Sequence, residues 1–303
     1  MVAEEKAVAP VMPQAGVAKI GAQIAKSEKK PTWCPGCGDY GVLAAVEKAA
    51  KNLNIAPHDM YIVSGIGCSS NLPHFLNTYG FHSIHGRAVA VANGVKMANH
   101  NLKVVVTGGD GDGYGIGCGH LVHSMRRNLD ITYIVMDNEI YGLTTGQASP
   151  TSMMGAKTKS TPEGVIEEPL NPVALGIAAG ASYVARGFSG DVKHLTDLVQ
   201  GAIAHKGFAL VDVQSPCVTY NRFNTFDYFR QRVYKLEGTG YDPSDKIKAF
   251  ERSQEWGDKI PIGLFYKTTR PLYEELDNVL KAGPLVYQKA GIKGRTDILE
   301  EFI

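Results

Sequence analysis

Apolar side chains first recur at helical spacing in Val42, Leu43, Val46, Ala49 and Ala50, so a helix with one buried face is expected from Tyr40 onward, with Asp39 placed to cap its start. Three short runs then break that period: Tyr61–Val63, Lys103–Thr107 and Ile131–Met136. Each is rich in β-branched residues and stops at a polar or glycine-rich loop, the pattern of strands buried on both faces of a parallel sheet. The stretches near Ala88–Asn99 and Tyr114–Arg127 are long enough for the helices that parallel crossovers require. A helix near Val173–Ala179, a strand near Tyr183, a helix over Val192–His205 and a strand over Phe208–Val213 continue the alternation. Residues 31–220 therefore read as an α/β domain built on a doubly wound, mostly parallel sheet.

The flanks differ. Residues 1–30, mostly Ala, Lys, Glu and Val without a period, are expected to be a loose arm. From 221 to 303, aromatic residues such as Phe223, Phe226, Tyr228 and Phe229 crowd among charges, followed by segments punctuated by Pro and Gly. This extension is expected to pack on the core or on a partner subunit. Lys+Arg and Asp+Glu number 31 and 30, which leaves no overall charge to attract nucleic acid or an anionic membrane. No apolar run reaches the roughly 20 residues that span a bilayer, and the start lacks a signal-peptide core, so a cytoplasmic protein is expected.

Candidate chemistry begins after the run Lys103–Thr107, at Gly108-Gly-Asp-Gly-Asp-Gly-Tyr-Gly-Ile-Gly117, a loop expected to lead into a helix. Glycines let a backbone approach a diphosphate closely, and a helix start adds free N–H groups with positive dipole character. The loop lacks the Gly-Lys-Ser/Thr of a P-loop, and Asp110 and Asp112 would repel a bare pyrophosphate. A divalent cation between carboxylate and phosphate removes that repulsion, with Asp110 as its ligand and Asn138, at the end of the next parallel strand, as a second oxygen donor. A Gly-Asp-Gly followed nearly thirty residues later by such an Asn resembles the thiamine-diphosphate motif. The resemblance implies Mg²⁺ on the side chains of Asp110 and Asn138 and the carbonyl of Ile140, with Gly111, Asp112, Gly142, Leu143 and Thr144 close to the cofactor.

Two of the five cysteines form Cys34-Pro-Gly-Cys37, a spacing that in a reducing compartment favours metal or redox chemistry. Cys68 and Cys217 each follow a predicted strand, so all four thiols can meet at one edge of the sheet. Four thiolates suit a [4Fe–4S] cluster or a structural zinc, and composition does not choose between them. The segments Trp33–Asp39, Gly65–Ser69, Ile84–Arg87, Gly109–Gly113 and Tyr141–Gln147 together resemble the β subunit of two-subunit 2-oxoacid:ferredoxin oxidoreductases. The resemblance spans about 31–220. It implies the diphosphate-binding half of the thiamine-diphosphate fold, a [4Fe–4S] cluster on Cys34, Cys37, Cys68 and Cys217, and cofactor contacts from Ile66, Gly67, Cys68, Ser69 and His85. Cys118 lies outside the pattern and is expected to be a small buried side chain.

Thiamine diphosphate takes up the electrons left by decarboxylation of a 2-oxoacid, and a cluster beside it passes them on singly. The family resemblance implies coenzyme A as acyl acceptor, ferredoxin as electron acceptor, and an α subunit that completes the active site and supplies the acidic activator of the cofactor. Of the 2-oxoacids, 2-oxoglutarate is expected over pyruvate. Two rivals remain on the sequence: a thiamine-dependent decarboxylase or synthase with a structural zinc, and a non-catalytic electron-transfer subunit.

Overall fold

The structure, a computed structural model, describes residues 23–288. In chain order its elements are α1 (Asp39–Asn52), β1 (Met60–Ser64), β2 (Tyr79–His82), α2 (Ala88–Ala98), β3 (Lys103–Gly109), α3 (Cys118–Arg127), β4 (Ile131–Asp137), α4 (Pro172–Ala179), β5 (Tyr183–Phe188), α5 (Val192–Ala204), β6 (Ala209–Gln214), α6 (Phe226–Arg232), β7 (Val233–Lys235), α7 (Lys246–Ser253), β8 (Ile260–Lys267) and α8 (Tyr273–Leu276). The strands form one eight-stranded sheet in the order β2-β1-β3-β4-β6-β5-β8-β7. All neighbours run parallel except β5 and β8, which are antiparallel.

Side chains alternate across the sheet, and each face has its own core. Ile62, Val105, Ile134, Met136 and Val211 pack beneath α1 and α5. Val104, Val106, Tyr133, Val135 and Leu210 face the opposite side, with Leu121 and Met125 of α3 and Val173 and Ile177 of α4. Parallel strands buried on both faces are why the sequence reads as near-continuous apolar runs.

Three local readings change, and the reading of the extension is made more specific. Asp39 does not cap α1: it is the first helical residue behind Gly38, is 1 % exposed, and accepts a hydrogen bond from Ser215 Oγ at 2.8 Å. The glycine-rich loop does not enter its helix at Tyr114. Gly111–Ile116 form one wide turn closed by Gly117 N–H on the Asp112 carbonyl, the backbone breaks at Gly115, and α3 begins at Cys118. Such wide turns insert residues without losing the helix and recur at functional sites. Part of the expected loose arm is pinned: Ile24 is fully buried and Lys26 bridges to Leu76, while residues 1–22 lie outside the described residues. Finally, the C-terminal extension adds β8 to the sheet against β5, with Phe265 in the core. Among the described residues, no helix is long and apolar enough to cross a membrane.

Candidate active site at the carboxyl edge of the sheet

Because β1, β3, β4 and β6 are parallel, the loops after them leave the same edge. A cavity of about 220 Å³ opens there. Its wall contains every residue expected to hold thiamine diphosphate or Mg²⁺: Ile66 to Ser69 after β1, His85, Asp110 to Asp112 after β3, and Asn138, Ile140 and Gly142 to Thr144 after β4. Gly109 and Tyr141 complete it and were not among the expected residues.

Asp110 is 1 % exposed, and burial pushes its carboxyl above the usual carboxylate range. Thr151 Oγ1 lies 2.8 Å from Asp110 Oδ2 and 2.8 Å from Asp137 Oδ1. Asp137 and Glu139 are likewise pushed well up, first by burial and next by the charge of Asp110. Asp212 reaches about 6 for the same first cause, despite Arg186 nearby. Asp110 accepts from the backbone N–H of Asn138, so the two strand ends meet, and one carboxylate beside the Asn138 side chain and the Ile140 segment on the same wall is a donor set that fits Mg²⁺. Asn138 Oδ1 also accepts the Ile140 N–H at 3.1 Å, which holds the turn that brings Ile140 to the wall. The Gly111 backbone fits a close ligand. A β-carbon there would lie 2.1 Å from the Tyr141 ring, whose hydroxyl donates to the Gly111 carbonyl at 3.1 Å.

Sequence reasoning missed Thr151, Asp137, Glu139, Asp212 and Arg186. Only Asp137 and Glu139 carry a sequence signal, as neighbours of Asn138; the others come from separate strands or a long loop. Of the rest, Asp112 Oδ1 is met by the Ile66 and Gly86 N–H groups and by His85 Nδ1.

Cys68 and Cys217 approach Gly142, and Cys34 and Cys37 lie near enough for the thiols to act on one another. A β-carbon at Gly142 would lie 3.6 Å from Cys217 Sγ, 3.9 Å from Cys68 Sγ and 3.9 Å from Asn138 Nδ2. The Cys34–Cys37 turn is tied to the Cys217 loop by Gly38 N–H on the Pro216 carbonyl and by Asp39 on Ser215. Trp33 Nε1 donates to the Cys68 carbonyl at 2.7 Å. Burial and then Asp39 push the Cys37 thiol far up and the Cys68 thiol up to about 11; Cys217 adds to both, and Cys34 also acts on Cys68. Thiols so disfavoured as free anions become thiolates beside iron or zinc. All five cysteines are free. Cys118 sits half-buried on α3, outside this group. Among the described residues, no three His, Cys, Asp or Glu side chains are gathered closely enough to hold a single ion. A four-iron cube is broader than an ion and draws its thiolates from further apart.

Residues 58–213 match the family described as thiamine pyrophosphate enzyme, C-terminal TPP binding domain, and residues 217–282 match the C-terminal family of the pyruvate ferredoxin oxidoreductase beta subunit. The chain is 48 % identical to 2-oxoacid:ferredoxin oxidoreductase 1, subunit beta, of Aeropyrum pernix, over 86 % of this chain and 85 % of that one. It is 39 % identical to 2-oxoglutarate synthase subunit KorB of Methanocaldococcus jannaschii, over 82 % and 92 %. A solved structure of 2-oxoglutarate:ferredoxin oxidoreductase from Magnetococcus marinus, with 2-oxoglutarate, coenzyme A and succinyl-CoA bound, superposes with a TM-score of 0.84 at 43 % identity, over 91 % of this chain and 94 % of that one.

Proposed function

The chain belongs to the β subunits of the 2-oxoacid:ferredoxin oxidoreductases, and from that premise we propose how its own residues serve the reaction. Asp110, Asn138 and the Ile140 carbonyl hold Mg²⁺, and the backbone from Gly111 and from Gly142 to Thr144 receives the diphosphate. Cys34, Cys37, Cys68 and Cys217 hold a [4Fe–4S] cluster. Thiamine diphosphate supplies the reactive carbon and electron sink, and the cluster supplies one-electron transfer.

One observation carries this reading: a β-carbon placed on Gly142 would be within van der Waals reach of two of the four thiols and of the Asn138 side-chain amide. The wall of the cofactor cavity is thus also the wall of the thiol cluster, and Cys68 belongs to both. Electrons leaving a substrate carbon in this cavity have a path of a few residues to the sulfur cage. His85, on the same wall, positions the cofactor. An α subunit supplies the remaining half of the active site and the acidic activator, in a heterodimer or a dimer of heterodimers. Ferredoxin takes the electrons and coenzyme A the acyl group. Free thiols and the chemistry of ferredoxin support a cytoplasmic location for the complex. The substrate is 2-oxoglutarate, a choice supported by the names of several relatives and of the solved structure.

The test is anaerobic purification of the chain with its natural α subunit, followed by an assay for reduction of a one-electron acceptor. Reduction that requires 2-oxoacid and coenzyme A together is expected, with kcat/KM higher for 2-oxoglutarate than for pyruvate. Decarboxylation without acceptor reduction would refute the electron path, and a preference for pyruvate would refute the substrate.

A further inference from the structure

Asp112 lies two residues beyond the proposed magnesium ligand, yet its side chain serves different partners. It is 2 % exposed, and its Oδ1 alone receives three groups: the Ile66 N–H at 2.9 Å, the Gly86 N–H at 2.8 Å and His85 Nδ1 at 2.8 Å. Its other oxygen presses on the β1 loop so closely that a β-carbon at Gly65 would lie 1.9 Å from it. Gly86, at φ +70°, also has no room for a side chain, because Ile116 stands 2.5 Å from where a β-carbon would be. Two glycines from separate loops are therefore fitted around one carboxylate. The Asp112 carbonyl meanwhile accepts the Gly117 N–H that closes the wide turn.

These contacts join three segments that are far apart in sequence and that all line the cavity: 66–69, the His85 loop and 109–112. Oδ1 is thereby fully engaged, while Oδ2 is buried without a hydrogen-bond partner. Asp112 also orients the His85 ring. A carboxylate only accepts, so the imidazole proton sits on Nδ1 and Nε2 is the ring nitrogen left for the cavity that His85 lines. We propose that Asp112 is the positioning residue of this cavity, clamping the β1 loop and the His85 loop to the glycine-rich turn and presenting His85 Nε2 to what binds there. The inference deepens the thiamine-diphosphate reading and rests on it for the identity of the ligand, but the clamp itself is a property of this chain alone.

The experiment compares Asp112→Ala, Asp112→Asn, His85→Gln and the double variant Asp112→Ala/His85→Gln in the complex assembled with the α subunit. Hydrogen exchange is followed over residues 65–71 and 84–88, and binding of thiamine diphosphate in Mg²⁺ is measured by equilibrium dialysis. Asp112→Ala should speed exchange in both segments and weaken cofactor binding by about tenfold, the scale of lost charge-assisted hydrogen bonds. Asp112→Asn keeps an acceptor oxygen and should recover most of the slow exchange. In the His85→Gln background, Asp112→Ala should weaken binding by no more than about half of its effect alone, because part of that effect passes through the ring. Unchanged exchange, or effects on binding that simply multiply, would overturn the proposal. If Asp112→Ala does not assemble, exchange in Asp112→Asn decides: it should exceed wild type in both segments, and equality refutes the clamp. A wild-type complex that binds no thiamine diphosphate would refute the cofactor reading, while the exchange comparison would still judge the clamp.

Discussion

Asp110 and Asp112 show how two like residues, one glycine apart, are driven to different roles by what surrounds them. Asp110 is buried close to other carboxyls, and its charge pushes Asp137 up; Asp112 Oδ1 is met instead by the Ile66 and Gly86 N–H groups. Asp110→Ala should therefore abolish Mg²⁺-dependent retention of thiamine diphosphate in the assembled complex while leaving the visible iron–sulfur absorbance in place. Cys68→Ser should bleach that absorbance and stop acceptor reduction first. If both variants lose both properties together, the two centres are not separately built. A second test concerns His205, whose Nε2 meets Ser182 Oγ at 2.8 Å and which burial and then Lys267 hold down at about 4 from its ordinary 6.5. The unfolded chain takes up this proton first, so the contribution of His205 is full above about pH 6.5, falls as pH drops toward 4, and is flat below. Asp39 and Asp212, both pushed up to about 6, slope the opposite way, so the wild type must be compared with His205→Gln. The difference in unfolding free energy between the two should shrink by about 1–3 kcal/mol across that window. A constant difference would remove the titration of His205 from the account. Asp110, Asn138 and the cysteines were legible because each lies in a short local motif. Thr151, Asp212 and Arg186 were not, because only folding brings a long loop onto Asp110 and Asp137 and sets Arg186 of β5 against Asp212 of β6.

At the level of elements, the period of apolar positions located β1, β3, β4, β5 and β6 closely, since strands buried on both faces leave an unmistakable run. It missed β2, whose four residues Tyr79-Gly-Phe-His82 are all exposed at the edge of the sheet and carry a glycine. It also ran the helix after the glycine-rich loop several residues too early. Tyr114 and Leu121 do share one buried cluster, but the glycines between them favour a wide turn over a regular helix. That turn is held by steric fit as well as by hydrogen bonds. Gly111→Ala would drive a methyl group into the Tyr141 ring, so it should destabilise the protein by about 1–3 kcal/mol and weaken cofactor binding. Adding Tyr141→Ala makes room, and the double variant should regain cofactor binding relative to Gly111→Ala alone. Failure to regain it would show that the close approach of Tyr141 is not what requires Gly111.

For the whole molecule, the sheet edge shows what a partner subunit would cover. The cavity wall it provides includes Ile66 and Leu143, apolar side chains 36 % and 55 % exposed, and beside His85 stand Ile84 and Ile116, 71 % and 55 % exposed. Apolar residues gathered around the mouth of a cavity gain most by being covered, since each buried CH₂ contributes about 0.8 kcal/mol. A catalytic cavity also has to exclude water before charge is moved within it. Both requirements are met if this mouth is covered by the α subunit. The isolated chain should accordingly show no 2-oxoacid-dependent reduction of an acceptor, and turnover should appear on adding the α subunit and saturate at equimolar ratio. Over the same titration, hydrogen exchange across residues 84–87 and 141–144 should slow. Turnover by the chain alone would show that it carries a complete site, and turnover restored without slower exchange at those segments would show that the partner docks elsewhere and acts on the cavity from a distance.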